Sequence, residues 1–316
     1  MTRNKSNPKR EHHELPLLYL QGFCEGSFFW IYRRGKPYLP GVQKPKYNPY
    51  KAGIREVAKR DRYTLITQAG NKDFEIYEDR LQKEEHKSDD VLGKMHAYKP
   101  ISNAEKEIFA QYIQLINKRT SEREKAVSPI IDRNLKSIPW DQVILQLAMS
   151  GQFKAARELS EAEEYLKSEN SGKKHLLFES MLTQYPLLHK VLMTMKWTFY
   201  IAPAGLHFVT SNTPVIFDRT VGLRASPLLF PVSSSFAMIA TWNGASDLQY
   251  VNASSDETLI INFLTICHAL EVYSPKQEKW IWDILDHGLE LKEKQLVALR
   301  KLFPFRNVGK IKGICP

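Results

Sequence analysis

The stretch that most constrains the fold runs from Trp197 to Asp218: Trp-Thr-Phe-Tyr-Ile-Ala-Pro-Ala-Gly-Leu-His-Phe-Val-Thr-Ser-Asn-Thr-Pro-Val-Ile-Phe-Asp. Trp197, Phe199 and Ile201 alternate with Thr198 and Tyr200, the period of a strand. Pro203-Ala204-Gly205 reads as a turn. Leu206, Phe208 and Val209 lead into a polar corner, Thr210-Ser211-Asn212-Thr213-Pro214, and Val215, Ile216 and Phe217 resume an apolar strand. Turns this short permit antiparallel neighbours only. The strands of Trp197–Phe217, Leu228–Pro231 and Phe236–Thr241 are therefore expected in one mainly antiparallel sheet, with the apolar helix Leu259–Leu270 packed on it. The polar corner admits two readings. Ser and Asn start turns through their own side chains, and a polar loop held by buried strands is also where sites are built.

Upstream, helical periodicity takes over. Asp73 to His96 reads as one long helix on which Glu78 and Glu85 fall seven apart, two turns with only about 20° of drift, so both carboxylates share a face. Ser102-Asn103 caps a second helix with Glu105 in its first turn. Its apolar face is Ile108, Phe109, Tyr112, Ile113 and Ile116, and Arg119 and Arg123 follow four apart. That arginine pair reads either as a small anion site or as helix-end cations complementing carbonyls. Trp140–Met149, Phe153–Lys167 and His175–Met195 are further helices, the last with a kink at Pro186. Early strands are expected at Phe28–Tyr32 and Arg62–Thr67, and Val272-Tyr273 reads as an edge strand. Strands at both ends and helices between them predict an α+β fold: a mainly antiparallel sheet with a large helical insertion between early and late strands.

The 316 residues are expected to form a basic arm (1–11), a single α+β domain (12–303) with a helical middle (73–195), and a basic tail (304–316). No apolar run reaches the ~18 residues of a membrane span, and no signal core follows the basic start. Cys24, Cys267 and Cys315 are scattered and odd in number, which supports neither a disulfide partner nor a thiolate zinc site. A reducing cytoplasm fits that usage.

The net charge of +10 favours phosphates as partners. Gly35 to Gly53 is a proline-rich loop that carries Lys44, Lys46, Tyr47, Tyr50 and Lys51, residues suited to nucleic acid through charge and stacking. A surface loop whose tyrosines pack on the core is the plainer reading of the same residues.

One resemblance covers most of the chain. His13-x-x-Pro16-x-x-Tyr19-Leu20-x-x-Phe23, the glutamates Glu78 and Glu85, Arg119-Thr120, Thr210-Ser211-Asn212-Thr213-Pro214-Val215 and Phe230-Pro231 follow one another as they do in the bacterial family called domain of unknown function 4238. The chain resembles that family from His13 to about Tyr273. It departs from it at Glu14 and Leu17, at Gln21 where Arg is usual, and at Asn212 where the family has Asp. The resemblance implies the fold and a site location, and it implies no chemistry. The recurrence of these motifs together implies that His13, Glu78, Glu85, Ser211 and Asn212 converge on one pocket.

In such a pocket His13, Glu78 and Glu85 would carry proton transfer or hold a divalent metal. Ser211 and Asn212, with Arg119 and Arg123, would bind a ligand. A buried hydrogen-bonded network is the other reading of the same residues. No nucleophile elbow, phosphate loop, dinucleotide fingerprint or His-Glu-x-x-His occurs. Two function classes remain. One is a nucleic-acid-directed, nuclease-like hydrolase or a defence- or toxin-type effector. The other is a non-catalytic module for nucleic acid or a partner protein.

Overall fold

The computed structural model describes residues 11–12, 15–34, 49–57, 59–60, 65–66, 72–73, 76–168, 172–182, 186–217, 226–243, 246–287 and 291–303. In chain order the early elements are β1 (Glu11–His12), α1 (Leu17–Gln21), β2 (Phe28–Arg33), β3 (Tyr50–Gly53), β4 (Lys59–Arg60), β5 (Leu65–Ile66) and β6 (Lys72–Asp73). A helical segment follows: α2 (Ile76–His86), α3 (Asp89–His96), α4 (Asn103–Arg119), α5 (Ser121–Ser137), α6 (Trp140–Met149), α7 (Phe153–Lys167), α8 (Gly172–Leu182) and α9 (Pro186–Thr194). The chain then returns to strands with β7 (Lys196–Ile201), β8 (Thr210–Ser211), β9 (Ile216–Phe217), β10 (Leu228–Pro231), β11 (Phe236–Thr241) and β12 (Gln249–Asn252). It closes with α10 (Ser255–Cys267), β13 (Glu271–Ser274), α11 (Lys279–His287) and α12 (Glu293–Leu302). The fold is α+β, mainly antiparallel, with the helices α2 to α9 inserted between early and late strands. No helix among the described residues is long and apolar enough to cross a membrane.

The chain divides into two compact units. The first comprises Met1–His12, Lys59–His86 and Lys118–Gln184. Within it α5 packs on α8, α8 on α7 and α7 on α6. Asp132 of α5 and Lys173 of α8 form an ion pair of 2.7 Å. The outermost helix, α6, buries none of its residues, although Trp140, Val143, Ile144, Leu145, Leu147 and Met149 are apolar.

The second unit comprises His13–Ala58, Lys87–Asn117 and Tyr185–Pro316. It contains a five-stranded sheet of order β12-β7-β11-β10-β9 and a four-stranded sheet of order β3-β2-β13-β8. Side chains alternate across a strand, so each strand feeds two cores. Phe236, Met238 and Ala240 of β11 face one cluster with Trp197, Phe199, Phe230, Phe29, Ile31 and the α4 residues Phe109, Ile113 and Ile116. Ala237 and Ile239 of the same strand face another with Leu229, Tyr32, Val272 and the α10 residues Ile260, Phe263 and Leu264. Burial on both faces explains why Leu-Leu-Phe-Pro and Phe-Ala-Met-Ile-Ala are continuous apolar runs.

Four expectations are corrected. The corner after Ser211 does not join neighbours of one sheet: β8 pairs with β13 and β9 with β10, so the chain changes sheets there. The strand Val272-Tyr273 is not an edge but lies between β2 and β8. Asp73–His96 is two helices, α2 and α3, with a turn at Lys87-Ser88 where Ser88 is buried and Asp89 and Asp90 open the new helix. The kink expected at Pro186 falls beside residues 183–185, which lie outside the described residues; α9 is described from Pro186 onward. A turn does form at Pro203–Gly205, but it joins no antiparallel neighbours: β7 before it belongs to the five-stranded sheet and β8 after it to the four-stranded one. Leu206 N–H donates to Pro203 O at 3.0 Å, and Gly205 adopts φ of 82°, the left-handed region that favours glycine.

Two polar devices fix this unit. Ser254 and Glu257 form a reciprocal capping box at the start of α10, and Glu257 also takes a 2.6 Å bond from Lys301 of α12. Lys106 sits on the buried side of α4, inaccessible to solvent, and donates to Met195 O at 2.8 Å, Met193 O at 3.3 Å and Asp247 Oδ2 at 2.7 Å. Its ammonium also lies 5.0 Å from the Trp197 ring centroid. Asp247 in turn accepts from the backbone N–H groups of Trp197 and Leu248. Cys24 is a free, half-buried thiol that donates to Leu20 O, and burial pushes its pKa up to about 11. Cys315 lies outside the described residues.

Phe263→Ala is expected to lower stability by about 3–5 kcal/mol, since it empties a fully packed position. A urea midpoint shift equivalent to less than about 1 kcal/mol would contradict that packing. Burial alone would raise the pKa of Asp247, but the bonds from Lys106, Trp197 and Leu248 outweigh it and hold the carboxyl below its usual range. A depressed carboxyl stabilises the fold above its unfolded value of about 3.9 and loses that contribution as pH falls through the folded value. The urea midpoints of wild type and Asp247→Asn should therefore differ by a constant amount between about pH 5 and 7 and converge below about pH 4. A gap that stays constant down to about pH 2 would contradict the ion pair.

Candidate functional site

Three motifs of the resemblance meet inside the second unit. Tyr19 of the opening motif donates its hydroxyl proton to Pro231 O at 2.8 Å, and its oxygen lies 2.6 Å from Thr210 Oγ1. A phenol has one proton, so Thr210 donates to Tyr19. The Tyr19 ring stacks on Phe230 at 5.3 Å with 18° between planes. Burial raises the Tyr19 pKa far above its ordinary value, and the Thr210 bond offsets only part of that. All four residues are buried, so this meeting point locks the sheets together and offers no reactive group to solvent.

Ser211 and Asn212 continue from that lock. Ser211 Oγ accepts from Thr213 N–H at 3.2 Å. Asn212 Oδ1 accepts from the N–H groups of Leu270 and Glu271, each at 3.0 Å, and Asn212 N–H donates to Glu271 O. The side chain thus joins the corner to the strand β13. What those two N–H groups require is an oxygen, which Asn and Asp both supply.

The carboxylate and arginine residues lie in the first unit. Glu85, on α2, forms an ion pair with Arg119, whose guanidinium is buried. Arg123 is exposed. The two arginines do not share a helix face: Arg119 ends α4, and Thr120 breaks the helix by capping α5 through an accepted bond from Arg123 N–H at 3.3 Å. Lys118, beside them, has its pKa pushed down to about 8, chiefly by burial and further by the Arg123 charge. Glu78 lies on α2 with a side chain outside the described residues, and His13 lies outside them altogether.

Sequence reasoning missed two polar clusters. In the first unit the Tyr77 hydroxyl lies 2.6 Å from His175 Nδ1, and Arg80 binds Glu179 at 2.5 and 3.3 Å. Burial first, then the Glu179 charge, raises the Tyr77 pKa, so this phenol stays protonated. In the second unit His207 Nε2 lies 3.1 Å from Ser274 Oγ. The Ser274 proton goes to Lys276 O at 2.8 Å, so the imidazole donates to the serine. The pair is not a nucleophile and its base. Only paired distances reveal these contacts, since the partners lie 98 and 67 residues apart. Among the described residues no group of three His, Cys, Asp or Glu side chains could hold a metal ion.

Of the residues suited to nucleic acid, Lys44, Lys46 and Tyr47 lie outside the described residues, while Tyr50 and Lys51 lie on β3. That strand ends the four-stranded sheet. Arg33 of β2 lies 5.3 Å from the Tyr50 ring centroid and is held by a 2.9 Å bond to Glu271. Lys51 lies 5.0 Å from the Phe28 ring centroid. Both rings are open to solvent, Phe28 at 45% and Tyr50 at 40%. Arg34, by contrast, turns inward onto Ile266 O and Cys267 O at the end of α10.

Asn212→Ala is expected to cost about 1 kcal/mol, because two partly buried N–H groups lose their acceptor. Asn212→Asp, which keeps the oxygen, should cost less than half of that. Equal losses in thermal denaturation would contradict the acceptor role. No curated protein and no solved structure matches the chain. A family described as "Protein of unknown function (DUF4238)" matches residues 11–274 of the 316, and the chain belongs to that family.

Proposed function

We propose that this protein binds nucleic acid through the open edge formed by β2 and β3. The supporting observation is the pairing of each exposed ring with a cation, Tyr50 with Arg33 and Phe28 with Lys51. Rings offer π-faces to bases, and cations offer charge to phosphates. The net charge of +10 adds attraction at longer range. Isolated cation–aromatic pairs stabilise a fold weakly, by about 0.5–1 kcal/mol at exposed sites. Two such pairs, each joining β2 to the terminal strand β3, are therefore better explained by a ligand than by stability.

The hydrolase reading assigns proton transfer to His13, Glu78 and Glu85. The ion pair of Glu85 with Arg119 gives that carboxylate a structural partner, which favours binding over catalysis. Cytoplasmic placement accords with the cysteine usage.

Fluorescence anisotropy with a labelled mixed-sequence oligonucleotide tests the binding reading. Affinity is expected to fall at least tenfold between about 50 and 200 mM salt as counterions return to the phosphates. Lys51→Ala should flatten the slope of log affinity against log salt by about one. Affinity independent of salt would contradict phosphate contacts at this edge.

A further inference from the structure

We propose that the β2–β3 edge selects unpaired nucleic acid strands over duplex by taking one base on each of its two faces. This rests on the nucleic-acid reading and deepens it. Residues directly opposite each other in an antiparallel pair share a face. Tyr50 pairs with Ile31, and Arg33 lies two residues further along β2, so Tyr50 and Arg33 share one face. Phe28 pairs with Gly53, and Trp30 with Lys51, so Phe28 and Lys51 share the other. The two exposed rings thus stand on opposite sides of the terminal strand.

Gly53 keeps the Phe28 side clear. A Cβ there would sit 3.9 Å from the Phe28 ring carbon Cε1 and 3.3 Å from Glu56 Oε1. The position opposite the ring is therefore without a side chain, and Lys51 is the cation that lies over the ring.

A ligand that stacks on both rings must pass around the edge of β3. A duplex keeps its bases stacked on one another and bends over about 150 bp, so it cannot wrap a single β-strand. An unpaired strand turns freely and has bases to spare for aromatic platforms. Lys51 and Arg33 each lie beside one ring, within reach of the phosphates that flank a stacked base. The ligand is a single-stranded oligonucleotide, DNA or RNA, without sequence preference, because every base has a π-face.

The test uses the full chain with labelled oligo-dT, oligo-U and a self-complementary DNA hairpin of equal length, at one salt concentration. Both single strands are expected to bind at least tenfold more tightly than the hairpin. Phe28→Leu and Tyr50→Leu should each weaken single-strand binding by about five- to a hundredfold, and leave hairpin binding and the melting temperature unchanged. The two losses should multiply in the double variant. A tighter oligo-U than oligo-dT would assign the site to RNA, and the reverse to DNA, both within the proposal. A hairpin bound as tightly as the single strands would overturn the selection while leaving nucleic-acid binding intact. If none of the three binds, the binding reading itself falls. Leucine variants that bind like the wild type would overturn the stacking geometry even where single strands are preferred.

Discussion

A charge buried in an apolar core is tolerated only when every donor finds a partner, and Lys106 meets that condition. Its ammonium has three protons and three acceptors: two backbone carbonyls at the end of α9 and the start of β7, and the Asp247 carboxylate. The carboxylate is itself bonded to the first turn of β7 backbone through Trp197 N–H. One side chain of α4 therefore sets where the helical segment ends and where the central strand begins. An apolar replacement of similar volume could match its stability. What it would lose is the fixed register between α4 and β7, because apolar contacts slide where hydrogen bonds do not. Trp197 reinforces that register by donating from its indole to Leu192 O at 2.9 Å.

With β7 placed, the two sheets follow. Each presents apolar side chains on both faces, and both feed the same two clusters. The chain serves both sheets and crosses between them more than once, and the Thr210–Pro214 corner is the crossing from β8 to β9. Tyr19 closes it by bonding to Thr210 in one sheet and Pro231 in the other. The parallel pairing of β12 with β7 is the one exception to the antiparallel rule among the described strands of this sheet. It arises because β12 reverses direction relative to β11 but pairs beyond β7, which is itself antiparallel to β11, so β12 and β7 run the same way.

Local signals were legible in the sequence and distant ones were not. The helices Trp140–Met149 and Phe153–Lys167 appear with the expected bounds, because caps, prolines and period are local properties. Ser102 and Glu105 also bond as their spacing predicts. The edge reading of Val272-Tyr273 failed because short length and a polar neighbour look the same in a central strand. The role of Lys106 left no mark in the sequence, since its partner Asp247 lies 141 residues away. The four-residue spacing of Arg119 and Arg123 suggested a shared face, but that inference needs an unbroken helix, and Thr120 breaks it. Three of the motifs meet through Tyr19, Thr210 and Pro231, none of which was expected as a site residue. Convergence alone could not tell a pocket from a lock, because both need polar side chains at fixed positions.

That distinction decides where function is to be sought. A polar group whose donors and acceptors are already satisfied has little free energy to offer a ligand, since any new bond replaces an old one. Tyr19, Thr210 and Asn212 are in that state, and so is Ser274, whose proton is committed to a backbone carbonyl. The edge of β3 is not: its rings have faces in contact with water, and its cations rest on those rings rather than in carboxylates, except for Arg33. Displacing water from an aromatic face releases free energy without breaking a protein bond. A ligand therefore gains more at this edge than at the polar corner.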